Sequence, residues 1–134
     1  MNILITGSEG FIGSNIKFYL NLNTNYHIIE HNRKDSKISL INKVKRADII
    51  LHFAGENRSS KLSNFDKNNY QITKDIVENI RPKTFIIYSS TVKINEKSLY
   101  GKSKKKAEDV LKKFLNKKKY FLSILRLPNV FGKW

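Results

Sequence analysis

In the segment YGKSK, Tyr100 and Lys104 stand four residues apart, so on a helix they share one face. A phenol beside an ammonium is suited to proton transfer, because the nearby positive charge stabilises the phenolate and lowers the phenol's pKa. Such a phenol could give a proton to a carbonyl oxygen, or remove one from an alcohol. A hydroxyl from Ser90 or Thr91, in the segment YSST, could hold and polarise that oxygen. The spacing Y-x-x-x-K is common in proteins, so its meaning depends on what surrounds it.

A second chemical feature lies at the other end of the chain. Gly7, Gly10 and Gly13 are spaced GxxGxxG, directly after the apolar run Asn2 to Thr6. One glycine makes a tight turn, one lets the backbone approach a pyrophosphate, and one lets the following helix pack close to the strand. The helix beginning near Phe11 and Ile12 offers free N–H donors and a positive dipole end to the phosphates. Next to the second strand, Glu30 could accept from ribose hydroxyls, which favours NAD. Arg33 could pair with a 2′-phosphate, which favours NADP. Arg33 and Lys34 together tip the expectation to NADP, with NAD the alternative.

The elements that must position these groups are legible as apolar patterns. Strands are expected at Asn2 to Thr6, Tyr26 to Glu30, Asp48 to Phe53, Thr84 to Tyr88 and Phe121 to Arg126. Helical spacing runs from Phe11 to Leu22, Phe65 to Asn79 and Gly101 to Lys117, with a short helix between Ser36 and Lys45. The last of the long helices carries Ala107, Val110, Leu111, Phe114 and Leu115 on one stripe, which Tyr100 and Lys104 extend. Continuous apolar strands alternating with helices predict an α/β, doubly wound Rossmann fold with a parallel sheet of order 3-2-1-4-5. Residues 1–134 then form one dinucleotide-binding domain. The ligand crevice of such a sheet lies at the strands' carboxyl ends. There the glycine turn, the loop after Phe53, Ser89 to Thr91 and the segment after Arg126 converge.

Composition narrows the function classes. The formal net charge is +15, but the excess is lysine, with only five arginines and abundant Asn and Ile. These residues share A/T-rich codons, the lysines are dispersed, and no aromatic-and-basic module accompanies them. Nucleic acid is therefore not expected as a partner. The absence of cysteine removes thiolate metal sites and disulfides, and no metal is expected. No apolar run approaches the ~20 residues of a bilayer span, and the first residues carry no leader-like pattern. The expectation is a cytoplasmic protein with no membrane partner.

Taken together, TGSEGFIG, ADIILHFAG, YSST, YGKSK and RLPNVFG resemble the extended short-chain dehydrogenase/reductases, the nucleotide-sugar epimerase/dehydratase group, in family order. LHFAGENR, YGKSKKKAED and RLPNVFGKW are more particularly similar to the CapF-like reductases of bacterial capsule and O-antigen synthesis. That resemblance implies NADPH-dependent reduction of a UDP-linked 4-keto-6-deoxy-sugar, in which the nicotinamide's charge also favours the Tyr100 phenolate. It implies pyrophosphate contact at Gly7, Gly10 and Gly13, and 2′-phosphate contact at Arg33. Asp48 would lie near the adenine, with Ala54 and Gly55 along the cofactor cleft. Tyr100 would be the acid/base, and Lys104 would bind the nicotinamide ribose and tune Tyr100. Thr91 would be the hydroxyl partner, with Ser90 competing because the strand register is open by one residue. Pro128 would meet the nicotinamide and Asn129 the sugar-nucleotide.

Family members continue beyond RLPNVFG into a substrate-binding portion, and CapF-like proteins add a cupin domain. The resemblance thus implies a C-terminally truncated chain, with a fragment, a truncated or split gene, and a protein completed by a separately encoded C-terminal chain all left open, and with a homodimer as the other candidate partner. Three readings stay open: the catalytic half of a nucleotide-sugar reductase, a sugar-nucleotide epimerase or dehydratase, and a dinucleotide-binding module or remnant without turnover. His52, inside an apolar strand, is expected to be a packed and hydrogen-bonded residue. For Asn69, cleft organisation and a surface role are equally open.

Overall fold

The structure is a computed structural model that describes residues 1–59 and 61–132. Five strands form one parallel sheet: β1 (Asn2–Thr6), β2 (His27–His31), β3 (Ile49–His52), β4 (Phe85–Thr91) and β5 (Phe121–Leu127). They are connected by α1 (Phe11–Asn23), α2 (Lys37–Val44), α3 (Leu62–Phe65), α4 (Ile72–Asn79) and α5 (Leu99–Lys118). Between α3 and α4 the chain makes a π-helical segment, Asp66–Gln71, and a 3₁₀ turn, Val92–Asn95, follows β4.

The sheet order is β2-β1-β3-β4-β5. The fold is doubly wound and parallel, as the alternation of apolar runs predicts, but β3 pairs with β1 rather than lying outside β2 as order 3-2-1-4-5 has it. Handedness gives the reason. Right-handed crossovers tie the covering face to the direction of travel across the sheet. Leu40 and Val44 of α2 pack in the same core cluster as Ile76 and Val77 of α4 and Ala107 and Leu111 of α5. Helix α2 therefore covers a step in the same direction as α4 and α5, away from β2 and past β1. Ile16 and Leu20 of α1 pack on the opposite face, against Ile3, Ile5 and Leu51.

The two faces differ in cover. Leu4, Ile50, Ile86 and Tyr88 lie under α2, α4 and α5 with no exposure above 0%. On the α1 side, Phe85 and Phe121 stack with ring centroids 6.4 Å apart and remain 37% and 58% exposed. Strand β5 thus forms an edge with exposed apolar residues.

Local chemistry accounts for the element ends. The Ser36 hydroxyl accepts from Ser39 N to cap α2, and the Ser98 hydroxyl accepts from Gly101 N to cap α5. The Ser98 cap starts α5 two residues earlier than the apolar stripe indicates, which brings Tyr100 inside its first turn. Strand β4 runs three residues beyond the expected Tyr88, so Ser89, Ser90 and Thr91 are strand residues with alternating directions.

Candidate active site

At the carboxyl ends of the strands lies a cleft of about 740 Å³, a size usual for small-molecule sites. One wall is the glycine turn. Gly7 has φ +72°, and a Cβ there would lie 2.8 Å from Ala54 N. A Cβ on Gly13 would lie 2.2 Å from the Gly7 carbonyl oxygen, so only glycine lets α1 pack this close to the turn. The first intrahelical bond at this end runs from Ser14 N to Gly10 O, at 2.9 Å. The earlier amides, of Phe11, Ile12 and Gly13, belong to residues lining the cleft, where the helix end favours an anion.

Across the cleft stand Tyr100, Lys104 and the end of β4. Lys104 is 4% exposed, and its Nζ donates to the Ser89 carbonyl at 2.8 Å while lying 4.8 Å from the centre of the Tyr88 ring. Burial lowers its pKa to about 8, against the raising effect of Glu108. Tyr100 is pushed upward by burial, with the Thr91 hydroxyl acting in the opposite sense. The lowering by Lys104 that the spacing suggests is not among the effects on Tyr100, because the ammonium is aimed at Ser89 and Tyr88.

Strand alternation separates the two candidate hydroxyls. Ser90 points with Tyr88 toward α5 and donates to Glu108 Oε1 at 2.6 Å. Thr91 is the hydroxyl that meets Tyr100. The one-residue ambiguity of the sequence is thus a difference of sheet face, and Ser90's hydrogen is committed elsewhere.

Beneath the cleft runs a buried polar chain. Ala54 N donates to Thr6 Oγ1 at 3.2 Å, and Thr6 Oγ1 is 2.7 Å from His52 Nδ1. His52 Nε2 is 2.9 Å from Thr73 Oγ1, which donates to the Asn69 carbonyl at 2.7 Å. With its hydrogen spent on Asn69, Thr73 must accept from His52, so the imidazole carries its proton on Nε2 and accepts from Thr6 on Nδ1. Burial depresses the His52 pKa to about 3, with Lys104 and His31 acting in the same direction. His52 is thereby packed and hydrogen-bonded, as expected, and neutral.

Asn69, in the π-helical segment, is 1% exposed and organises the cleft rather than the surface. Its Oδ1 accepts from Glu56 N at 2.7 Å, and its Nδ2 donates to the Glu56 carbonyl at 2.9 Å and to Ser103 Oγ at 2.8 Å. Gly55 is required beside it, since a Cβ would lie 2.8 Å from Asn69 Oδ1.

Of the other residues singled out in the sequence, Pro128 and Asn129 line the cleft, as does Gly55. Arg33 sits at its edge, where Nη2 donates to Glu56 Oε2 at 3.0 Å. Glu30 is turned toward α1: its Oε2 accepts from Ser8 at 2.7 Å and from Lys17 at 3.1 Å, and the Ser8 bond leads in lowering its pKa. Asp48 is corrected by the structure. It stands at the amino end of β3, accepting from Asn2 N at 2.8 Å and from Arg81 at 2.9 Å. Six residues of extended chain separate it from Ala54, about 20 Å, so Asp48 cannot approach a ligand in the cleft.

Sequence reasoning passed over Glu56, Ser103, Glu108 and Arg126. Glu108 is 1% exposed and binds Arg126 through both oxygens, at 3.0 Å to Nε and 2.7 Å to Nη2. Burial raises its pKa, but the bonds from Arg126, Ser90 and Lys112 outweigh that and hold it at about 2. The available signal was its position four residues after Lys104, a carboxylate on the buried stripe, with a lone arginine in the apolar run of β5. Nothing local marks Glu56, whose partner is 23 residues away.

A family model, the NAD dependent epimerase/dehydratase family, matches residues 3–134. The UDP-2-acetamido-2,6-beta-L-arabino-hexul-4-ose reductase of Pseudomonas aeruginosa is 32% identical, with 100% of this chain and 37% of that protein aligned. The capsular polysaccharide assembling protein CapF of Staphylococcus aureus superposes with a TM-score of 0.80 at 33% identity, over 100% of this chain and 36% of that one. The UDP-glucuronic acid 4-epimerase of Bacillus cereus, solved with NAD, gives a TM-score of 0.83 over 98% of this chain at 19% identity, a likeness of fold. The chain spans little more than a third of the length of the reductase and of CapF.

Proposed function

Since the chain belongs to the NAD dependent epimerase/dehydratase family, we propose that its cleft binds a nicotinamide dinucleotide and reduces a UDP-linked 4-keto-6-deoxy-sugar. The observation that carries this reading is the convergence of Thr91, Tyr100 and Lys104 in one cleft with the glycine turn. The cleft's residues fit such a cofactor: Gly7 and Gly13, where a Cβ would strike the backbone of Ala54 and of Gly7, let the turn and α1 close up, and the α1 amides that line the cleft suit a pyrophosphate. The similarity to a UDP-sugar 4-ulose reductase at 32% identity supports the substrate class.

In this reading the amides of Phe11, Ile12 and Gly13 hold the pyrophosphate, while Arg33 meets a 2′-phosphate and so favours NADP over NAD. Gly55 forms part of the floor, with Ala54 behind it tied to Thr6, and Pro128 and Asn129 bound the nicotinamide and sugar end. A reduced nicotinamide held there would supply the hydride for the carbonyl carbon. Tyr100 gives its phenolic proton to the carbonyl oxygen, so that the ketone becomes an alcohol. Thr91 hydrogen-bonds the same oxygen as negative charge grows on it. Lys104, its Nζ fixed by the Ser89 carbonyl, gives the ribose a charged support. Its lowered pKa, about 8, makes that support weaken as pH rises through that value.

Titration with NADPH and NADH, followed by nucleotide fluorescence, tests the first half. Turnover of a UDP-linked 4-keto-6-deoxy-hexose tests the second. Tyr100→Phe should lower turnover by roughly 10² or more with dinucleotide affinity retained. Turnover that survives this change removes Tyr100 as the acid. Binding without turnover in the unaltered chain would favour a dinucleotide-binding module, and no binding would overturn the reading altogether.

A further inference from the structure

The edge of the cleft carries an ion pair whose geometry bears on which dinucleotide is preferred. Arg33 follows β2, and its side chain is 76% exposed; Glu56 follows β3, lines the cleft and is 15% exposed. Their atoms meet at 3.0 Å, Nη2 to Oε2. The backbone that carries the carboxylate is held in place. Both backbone groups of Glu56 are held by the amide of Asn69, itself 1% exposed and anchored to Ser103 on α5. With its backbone held and its side chain 15% exposed against 76%, the acid is the more confined member of the pair and the arginine the freer one.

Building on the dinucleotide reading above, we propose that Glu56 determines specificity by competing with a ribose 2′-phosphate for the Arg33 guanidinium. The phosphate must draw Arg33 away from Glu56, or share it and bring its own charge beside the carboxylate. Either route subtracts from the preference for the phosphorylated dinucleotide. The unphosphorylated dinucleotide meets no such contest. The pair Arg33–Glu56 has zero net charge, so the arginine's attraction for a dianion is partly cancelled before the ligand arrives. Arg33, the exposed member, is held only loosely by such a pair, which contributes little rigidity. Competition is the larger effect.

The test compares NADPH and NADH affinities in the full chain. Glu56→Gln keeps the shape and the backbone bonds to Asn69 and removes the charge. It should raise the NADPH-over-NADH affinity ratio by about two- to five-fold, the range for an exposed ion pair. The gain should shrink in high salt. Arg33→Ala should abolish most of the preference, and in that background Glu56→Gln should no longer change the ratio appreciably. Glu56→Ala, which does not depend on how glutamine packs, should move the ratio in the same direction. A ratio unmoved, or shifted toward NADH, in both Glu56 variants overturns this role while leaving dinucleotide binding intact. Failure of the unaltered chain to bind either dinucleotide overturns both readings.

Discussion

Acidification from pH 6.5 to 4.5 should destabilise the fold by about 2–3 kcal/mol through His52 alone. Its ring is fully buried between Thr6 and Thr73. A second proton, on Nδ1, would face the Thr6 hydroxyl that already donates to it. Burial accordingly holds the folded-state pKa at about 3, against an ordinary value of 6.5. In the unfolded chain the imidazole protonates below 6.5, whereas in the folded protein it stays neutral down to about 3. The unfolded state therefore binds more protons across this window. Stability present above 6.5 is lost as pH falls, at about 1.4 kcal/mol per pH unit per histidine. His31 is also lowered, chiefly by burial, and adds to the same slope.

Urea denaturation followed by circular dichroism at pH 7.5, 6.5, 5.5 and 4.5 measures the effect. With a urea m-value of about 1–3 kcal/mol/M, two pH units should move the midpoint by roughly 1 M or more. His52→Gln should cost about 1–3 kcal/mol at pH 7.5, because the hydroxyls lose part of their network, and should flatten the acid slope by one proton. A wild-type midpoint that stays level from pH 6.5 to 4.5 would refute the buried neutral histidine. An equal slope in His52→Gln would assign the effect to other groups.

Two further substitutions probe the frame of the cleft. Gly13→Ala drives a Cβ against the Gly7 carbonyl at 2.2 Å, so stability should fall by about 1–3 kcal/mol and NADPH affinity should drop with it; fluorescence titration of the folded variant reads the second effect. Glu108→Ala leaves Ser90 and Arg126 without their shared acceptor. The cost should be about 2 kcal/mol, below the ~3–5 kcal/mol of pairs buried on both sides because Arg126 is 47% exposed. Since Glu108 titrates at about 2 rather than 4.5, its contribution should vanish as pH falls from 4.5 toward 2, which acid denaturation of the variant beside wild type would reveal.

The parts of the site that sequence reveals are those fixed by local backbone and periodicity. Gly7 and Gly13 are legible because a tight turn and a close helix approach admit only glycine. Tyr100 and Lys104 are legible because helical spacing is regular. Hidden were the choices made between segments distant in sequence. Whether β3 lies beside β1 or outside β2 depends on which face α2 covers, and Leu40 and Val44 fit either face as residues. Ser90 and Thr91 differ by one position, and only the three extra residues of β4 decide which of them meets Tyr100. Asp48 failed for the converse reason. A motif position implies nearness to the cleft, although the residue that opens a strand lies at the edge of the sheet opposite the one where the strand ends.

The same distinction explains where the uncommon interactions lie. Asn69 belongs to a π-helical segment, and the extra residue in that turn aims an amide at the backbone of Glu56 instead of at solvent. From there the contacts run in one direction to Arg33 at the cleft edge and in the other to Ser103 on α5, one residue before Lys104. A single buried amide thus fixes both the acid that competes for Arg33 and the helix turn that bears Lys104. Asn69→Ala should therefore disturb the two ends together, where Glu56→Gln changes only the NADPH-to-NADH ratio. Independent behaviour of the two ends in Asn69→Ala would mean that the amide is only a local staple for the Glu56 loop.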